Sequence, residues 1–228
     1  MNKITHYIVI ALAASQLVAC QTTGTSSDVD VGKSDNVSER MDAAIEKAAL
    51  SISGNSKKTV NLIALEKKYK RDSADPANAL AYAAGLRQAN YLNRASLVLT
   101  PFTKTDDIYP GVNTEMSMIA LGLGNYDSAE IYAQNAILQD PENYNAYQNL
   151  GIALDAKEMH PEAERAFRKS LEHWKGNPTT VMNNLALNLA TQGFVDEAIE
   201  VLERARSLSP DRIEIERNLR IIRTLNER

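Results

Sequence analysis

The sequence holds a single cysteine, Cys20, so no disulfide can form within the chain, and the position of that cysteine near the N-terminus points to processing chemistry. Histidine is nearly as scarce. His6 falls in the leader, and the other two, His160 and His173, stand 13 residues apart, roughly 20 Å along one helix, which is too far to share a metal ion. The charge balance, 25 Lys and Arg against 29 Asp and Glu, lacks the basic excess on which a nucleic-acid surface depends. The acidic residues are dispersed along helix faces, where solvated charge is the ordinary reading. No glycine-rich phosphate loop, paired-histidine motif or nucleophile with a nearby base occurs. The expectation is therefore a protein that is not an enzyme, with no catalytic residue, metal, cofactor, small-molecule substrate or nucleic-acid partner. Long apolar runs are missing too. The only candidate, from Tyr7 to Val18, would span roughly 18 Å as a helix against roughly 30 Å of bilayer hydrocarbon, which excludes an ordinary transmembrane helix.

What is present is enough for a packed core, with 44% hydrophobic and 24% charged residues. The stretch from Tyr144 to Pro210 overlays on itself with a shift of 35 positions. Leu150 falls on Leu185, Gly151 on Ala186, Leu154 on Leu189, Ala163 on Ala198, Phe167 on Leu202 and Ser170 on Ala205. Large residues at 150 and 154 form an apolar stripe, and Gly151 leaves a gap that a second helix can approach through Ala163 and Ser170, with Phe167 as the bulk between them. A single hairpin cannot cover its own apolar face, so neighbouring hairpins must stack. The order large, small, large and then small, large, small resembles the tetratricopeptide repeat. The fold class expected is all-α: a right-handed superhelix of antiparallel hairpins with an N-terminal capping hairpin and a C-terminal capping helix.

The register extends in both directions. The large position recurs at Tyr82, Met116, Leu150, Leu185 and Leu219, and the small position of the second helix at Ala95, Ala129, Ala163 and Ala198, in steps of 34 or 35. Each hairpin turn needs a left-handed residue, supplied by Asn90, Gly124, Glu158 and Gly193. Glutamate suits that conformation badly, so the third hairpin is expected to turn differently and to use Pro161 to start its second helix. Pro101 should stop its helix near Leu99 or Thr100, leaving residues 101–111 as a long loop that is either a partner contact or repeat decay in a tolerant place. The final helix, from about Arg212, places Ile215, Leu219, Ile222 and Leu225 on one face and carries arginines at 212, 217, 220 and 223, the polar outer face that a terminal cap requires.

The N-terminal part divides into three segments. Residues 1–19 read as an export signal, with a basic start at Lys3 and the apolar run already noted. The tail Leu17-Val18-Ala19-Cys20 resembles the lipobox of bacterial lipoproteins, which implies that Cys20 is acylated and becomes the mature N-terminus; the other reading is an ordinary signal peptide with a chance cysteine. Gln21 in place of aspartate resembles the outer-membrane sorting pattern, so the expected location is the bacterial cell envelope, at the outer membrane, lipid-anchored and facing the periplasm. Residues 20–37 are a Thr, Ser, Gly and Asp tether reaching roughly 20 to 25 Å. Residues 38–75 form an irregular helical hairpin with Ser38 as its N-cap, and 76–228 form the repeats and the terminal cap helix.

In this register the first helix of each hairpin lines the concave face. The residues placed there are Thr114, Met118, Asn145, Gln148, Asn149, Ile152, Asn183, Asn184, Leu187, Arg217, Asn218 and Ile221. Asparagines at 149, 184 and 218 form a column of amides able to hold the backbone of an extended peptide, and the apolar residues between them suit a helix or strand of a protein partner. The plainer reading is that asparagine is common at this position in such repeats. Chaperone-binding members of the superfamily carry carboxylate-clamping lysines where Gln148 and Thr114 stand here, so that mode is not expected.

Two stretches go further: LEKKYKRDSADPANALAYAAGLR, from Leu65 to Arg87, and NNLALNLATQGFVDEAI, from Asn183 to Ile199, resemble the TadD family of tetratricopeptide lipoproteins from tight-adherence (Flp) pilus loci. That resemblance implies an outer-membrane lipoprotein that assists assembly or localisation of the pilus secretin, with a secretin or another pilus component as partner, and no catalytic residues. The rival readings are a general envelope adaptor for peptidoglycan enzymes or outer-membrane protein assembly, and a hydrolase using the array as a platform.

Overall fold

Stacking of hairpins is realised in the computed structural model, which describes residues 56–104 and 108–226, with side chains over 61–104 and 108–224. Cys20, the tether and the first helix of the capping hairpin lie outside these residues. Ten α-helices are described: α1 (Ser56–Arg71), α2 (Pro76–Gln88), α3 (Leu92–Leu99), α4 (Val112–Gly122), α5 (Tyr126–Gln139), α6 (Tyr144–Ala156), α7 (His160–His173), α8 (Thr179–Gln192), α9 (Val195–Leu208) and α10 (Ile213–Asn226). The pairs α2/α3, α4/α5, α6/α7 and α8/α9 are the four hairpins, and α1 and α10 flank them.

The helix boundaries follow local chemistry. Pro76 opens α2, where its missing N–H would have no partner anyway, and the Asp75 side chain accepts from the Ala77 amide at 2.9 Å. Pro101 ends α3 at Leu99 as expected, and the chain continues as one 3-10 turn, Thr100–Thr103, which the sequence pattern does not signal. Pro161 sits in the first turn of α7.

All four hairpins turn in the same way, which corrects the expectation for the third. Asn90, Gly124, Glu158 and Gly193 have φ of 65°, 74°, 62° and 91°. The amide after each of them bonds back five residues, from Tyr91 to Leu86, Asn125 to Ala120, Met159 to Leu154 and Phe194 to Leu189, at 2.8 to 2.9 Å. Glu158 accepts the left-handed strain because the flanking helices fix the closure on both sides.

The core follows the register. Ala95, Ala129, Ala163 and Ala198 are fully buried, and so are Leu189, Leu202, Ile215 and Leu219. Ser170 is buried with its hydroxyl donating to the Tyr144 carbonyl at 2.8 Å. The gap over Gly151 is filled differently from expectation, because the Phe167 ring itself occupies it. A Cβ on Gly151 would lie 2.6 Å from two ring carbons of Phe167. One register on, Ala186 and the smaller Leu202 take the places of Gly151 and Phe167 within one buried cluster, so residue sizes at the two positions compensate.

Candidate protein-binding groove

Successive first helices touch one another, α2 to α4, α4 to α6, α6 to α8 and α8 to α10, whereas among the described residues no second helix makes more than marginal contact with the next second helix. The array therefore curves with its first helices inside, and solenoids of this kind present an extended concave surface.

The N-terminal half of that surface opens into a pocket of about 430 Å³, walled by Ala77, Leu80, Ala81 and Ala84 of α2 and by Thr114, Glu115 and Met118 of α4. Tyr109 and Gly111 close one side and Asn143 and Asn145 the other. The α2 wall was not anticipated, although shifting Gly111, Thr114, Glu115 and Met118 back by 34 positions gives Ala77, Leu80, Ala81 and Ala84. Tyr109 and Gly111 bring the long loop to the pocket, and Gly111 is needed there twice over. Its φ is 90°, and a Cβ would lie 3.2 Å from Leu80. Arg87 donates to the Glu115 carboxylate at 2.6 and 3.3 Å, and the side chain of Glu115 is 6% exposed. This two-pronged pair neutralises the charge in the pocket wall.

The asparagine column divides into two kinds. Asn149 is 5% exposed and donates to the Ser117 hydroxyl at 2.6 Å and to the Thr114 carbonyl at 3.4 Å, so its amino group ties α6 to α4. Asn218 is 6% exposed and donates to Asn183 Oδ1 at 2.8 Å, tying α10 to α8. The expectation of a column of amides able to hold a peptide backbone is thus corrected at 149 and 218, whose amino groups are engaged within the array. The physical reason is that each finds an acceptor on the preceding first helix, worth about 1 kcal/mol net per bond. Asn184 is half-buried and makes no side-chain hydrogen bond among the described residues, and Asn145 and Gln148 are likewise without one. Thr114 is buried and accepts from Asn143 at 3.0 Å.

Met118, Ile152 and Leu187 are half-buried, the last two packed against the core, and Ile221 is 40% exposed. Arg217 is exposed and has no ion pair among the described residues. The floor from α2 to α8 is therefore neutral, small at one end and amide-rich in the middle, with the Arg217 guanidinium at the far end.

Polar clusters elsewhere serve the stacking. Asn188, fully buried, donates to Asp155 at 2.7 Å and to the His160 carbonyl at 3.1 Å, and His160 Nδ1 lies 2.8 Å from Asp155. Lys157 bridges Asp127 and Glu130 at 2.6 and 2.8 Å, and those bonds push its pKa up to about 12. Burial pushes the Tyr82 phenol up to about 12, and its oxygen accepts from Arg94 at 2.9 Å. His160 and His173 stand at the two ends of α7, and among the described residues no three His, Cys, Asp or Glu are placed to hold a metal ion.

A family model described as tetratricopeptide repeat matches residues 179–209, the α8/α9 hairpin. The structure is similar to that of a thermophilic TPR protein from Thermus thermophilus, with TM-score 0.63 and 15% identity over 81% of this chain and 97% of that one. It is also similar to a chain of the APC/C hetero-tetramer Cut9-Hcn1, with TM-score 0.69 and 16% identity over 76% of this chain and 34% of that one. MamA from Desulfovibrio magneticus is similar at TM-score 0.58 and 16% identity, over 78% and 98% of the two chains. No curated protein shows significant sequence similarity to the chain. The fold is a tetratricopeptide-repeat superhelix.

Proposed function

We propose that this chain is an outer-membrane-anchored, protein-binding scaffold that assists assembly or localisation of a pilus secretin, as a pilotin of the tight-adherence system. The observation that carries the binding reading is the neutral concave face, with its apolar pocket at one end and the free amide of Asn184 beside Leu187 further along. Such a lining suits a polypeptide segment. A large apolar side chain enters the pocket at Met118, the backbone meets Asn145, Gln148 and Asn184, and a carboxylate meets Arg217. The resemblance of Leu65–Arg87 and Asn183–Ile199 to pilus-locus lipoproteins supports a secretin as the source of that segment, and the lipobox at Cys20 supports anchoring at the outer membrane.

The test is secretin multimer abundance in cells expressing the double variant Asn184→Ala, Leu187→Asp. Removing one amide alone costs only about 0.5 to 1.5 kcal/mol, whereas a charge against an apolar contact excludes the partner. Multimers are expected to be lost. Because Leu187 also packs against the core, Asn184→Ala with Ile221→Asp is the companion variant, since Ile221 is 40% exposed and its change leaves the fold intact. Wild-type multimers in both variants would count against the groove. Undiminished multimers in a full deletion would remove the pilotin reading and leave the general envelope adaptor.

A further inference from the structure

Charge is segregated along the array. Segment 56–71, which is α1, holds six Lys or Arg against Glu66 alone, a net +5, whereas residues 72–228 hold 15 Lys and Arg against 22 Asp and Glu, a net −7. One end of an acidic solenoid is thus strongly basic. The two faces of α1 differ sharply. Leu62, Leu65 and Tyr69 pack against the core of the first hairpin, while Asn61, Ile63, Ala64, Lys67, Lys68 and Arg71 are exposed. Lys70 and Arg94 share Glu66, but Lys67, Lys68 and Arg71 have no ion pair among the described residues. Ile63, 47% exposed, gives the same outer face an apolar member.

We infer that the outer face of α1 docks on an anionic lipid surface. Phosphate head groups meet Lys67, Lys68 and Arg71, and Ile63 reaches toward the acyl boundary. The acidic repeats are repelled by the same surface, so docking sets orientation as well as affinity and keeps the concave face clear of the bilayer. The inference rests on the charge and exposure of α1 alone and holds whether or not Cys20 is acylated. If it is acylated, the basic face supplies the second membrane signal.

The experiment measures partition of the full chain onto vesicles of phosphatidylcholine with about 30% phosphatidylglycerol and onto vesicles of phosphatidylcholine alone. The ratio of the two cancels any contribution of the apolar N-terminal run. At low salt the ratio should exceed about tenfold, shrink as salt is raised, and fall to near one for Lys67→Ser, Lys68→Ser, Arg71→Ser, at unchanged helicity and melting temperature. Equal partition of the parent onto both vesicles would overturn the inference, and so would a ratio that survives the triple change. A parent ratio near one that rises only when Glu39, Asp42 and Glu46 are neutralised would assign the face to the chain's own segment 38–50 instead of to lipid.

Discussion

Leu185→Asp is expected to lower the stability of the array by at least about 4 kcal/mol, and in urea it should unfold α8 and its neighbours first. Leu185 is 2% exposed, inside the cluster that also holds Phe167, Leu189, Leu202 and Leu219. The change removes a buried leucine, which costs about 2 to 5 kcal/mol, and puts a carboxylate into an apolar cluster. Stability in a solenoid is a sum of unit and interface terms, so loss of the α8 face should free α9 and α10 while the N-terminal hairpins persist. The resulting transition, followed by circular dichroism, should be two-phased. A variant that melts like the parent would show that the register is wrong.

The second large effect lies at the Gly151 contact. Gly151→Ala should destabilise by about 1 to 3 kcal/mol despite the better helix propensity of alanine, because the new methyl would meet the Phe167 ring at 2.6 Å and the ring lies within the buried face of α7. The same change in a Phe167→Leu background should be nearly neutral, since that pair reproduces the Ala186 and Leu202 pairing one register on. Denaturant midpoints of the four proteins give the coupling, expected at about 1 to 3 kcal/mol. Additive effects would mean that the two side chains do not meet.

Most of the fold could be read from the 34-residue period, because the same few buried alanines and leucines recur and each constrains its neighbours. The departures have specific causes. Glu158 adopts φ of 62° although propensity argues otherwise, since the closure is dictated by Leu154 and Ala163, which the hairpin holds in register. The fate of each groove amide was not legible, because it depends on what stands one helix earlier. Ser117 accepts the Asn149 proton, whereas Gly151, which takes the place of Ser117 before Asn184, offers no side-chain acceptor, and Asn218 reaches Asn183 instead. The pocket wall on α2 was legible in principle, but alanines at 77, 81 and 84 carry no chemical signal of their own and become a site only through the bulk of Tyr109 and Met118 opposite.

The central claim is that a protein segment lies along the first helices. It is tested most directly by photo-crosslinking in cells from single positions, with the reactive residue at Asn184 or Ile221 on the groove side and at Glu200, exposed on the second helix α9, on the outer side. The account predicts one protein adduct common to the two groove positions and none from Glu200. An adduct from Glu200 with none from Asn184 or Ile221 would contradict it.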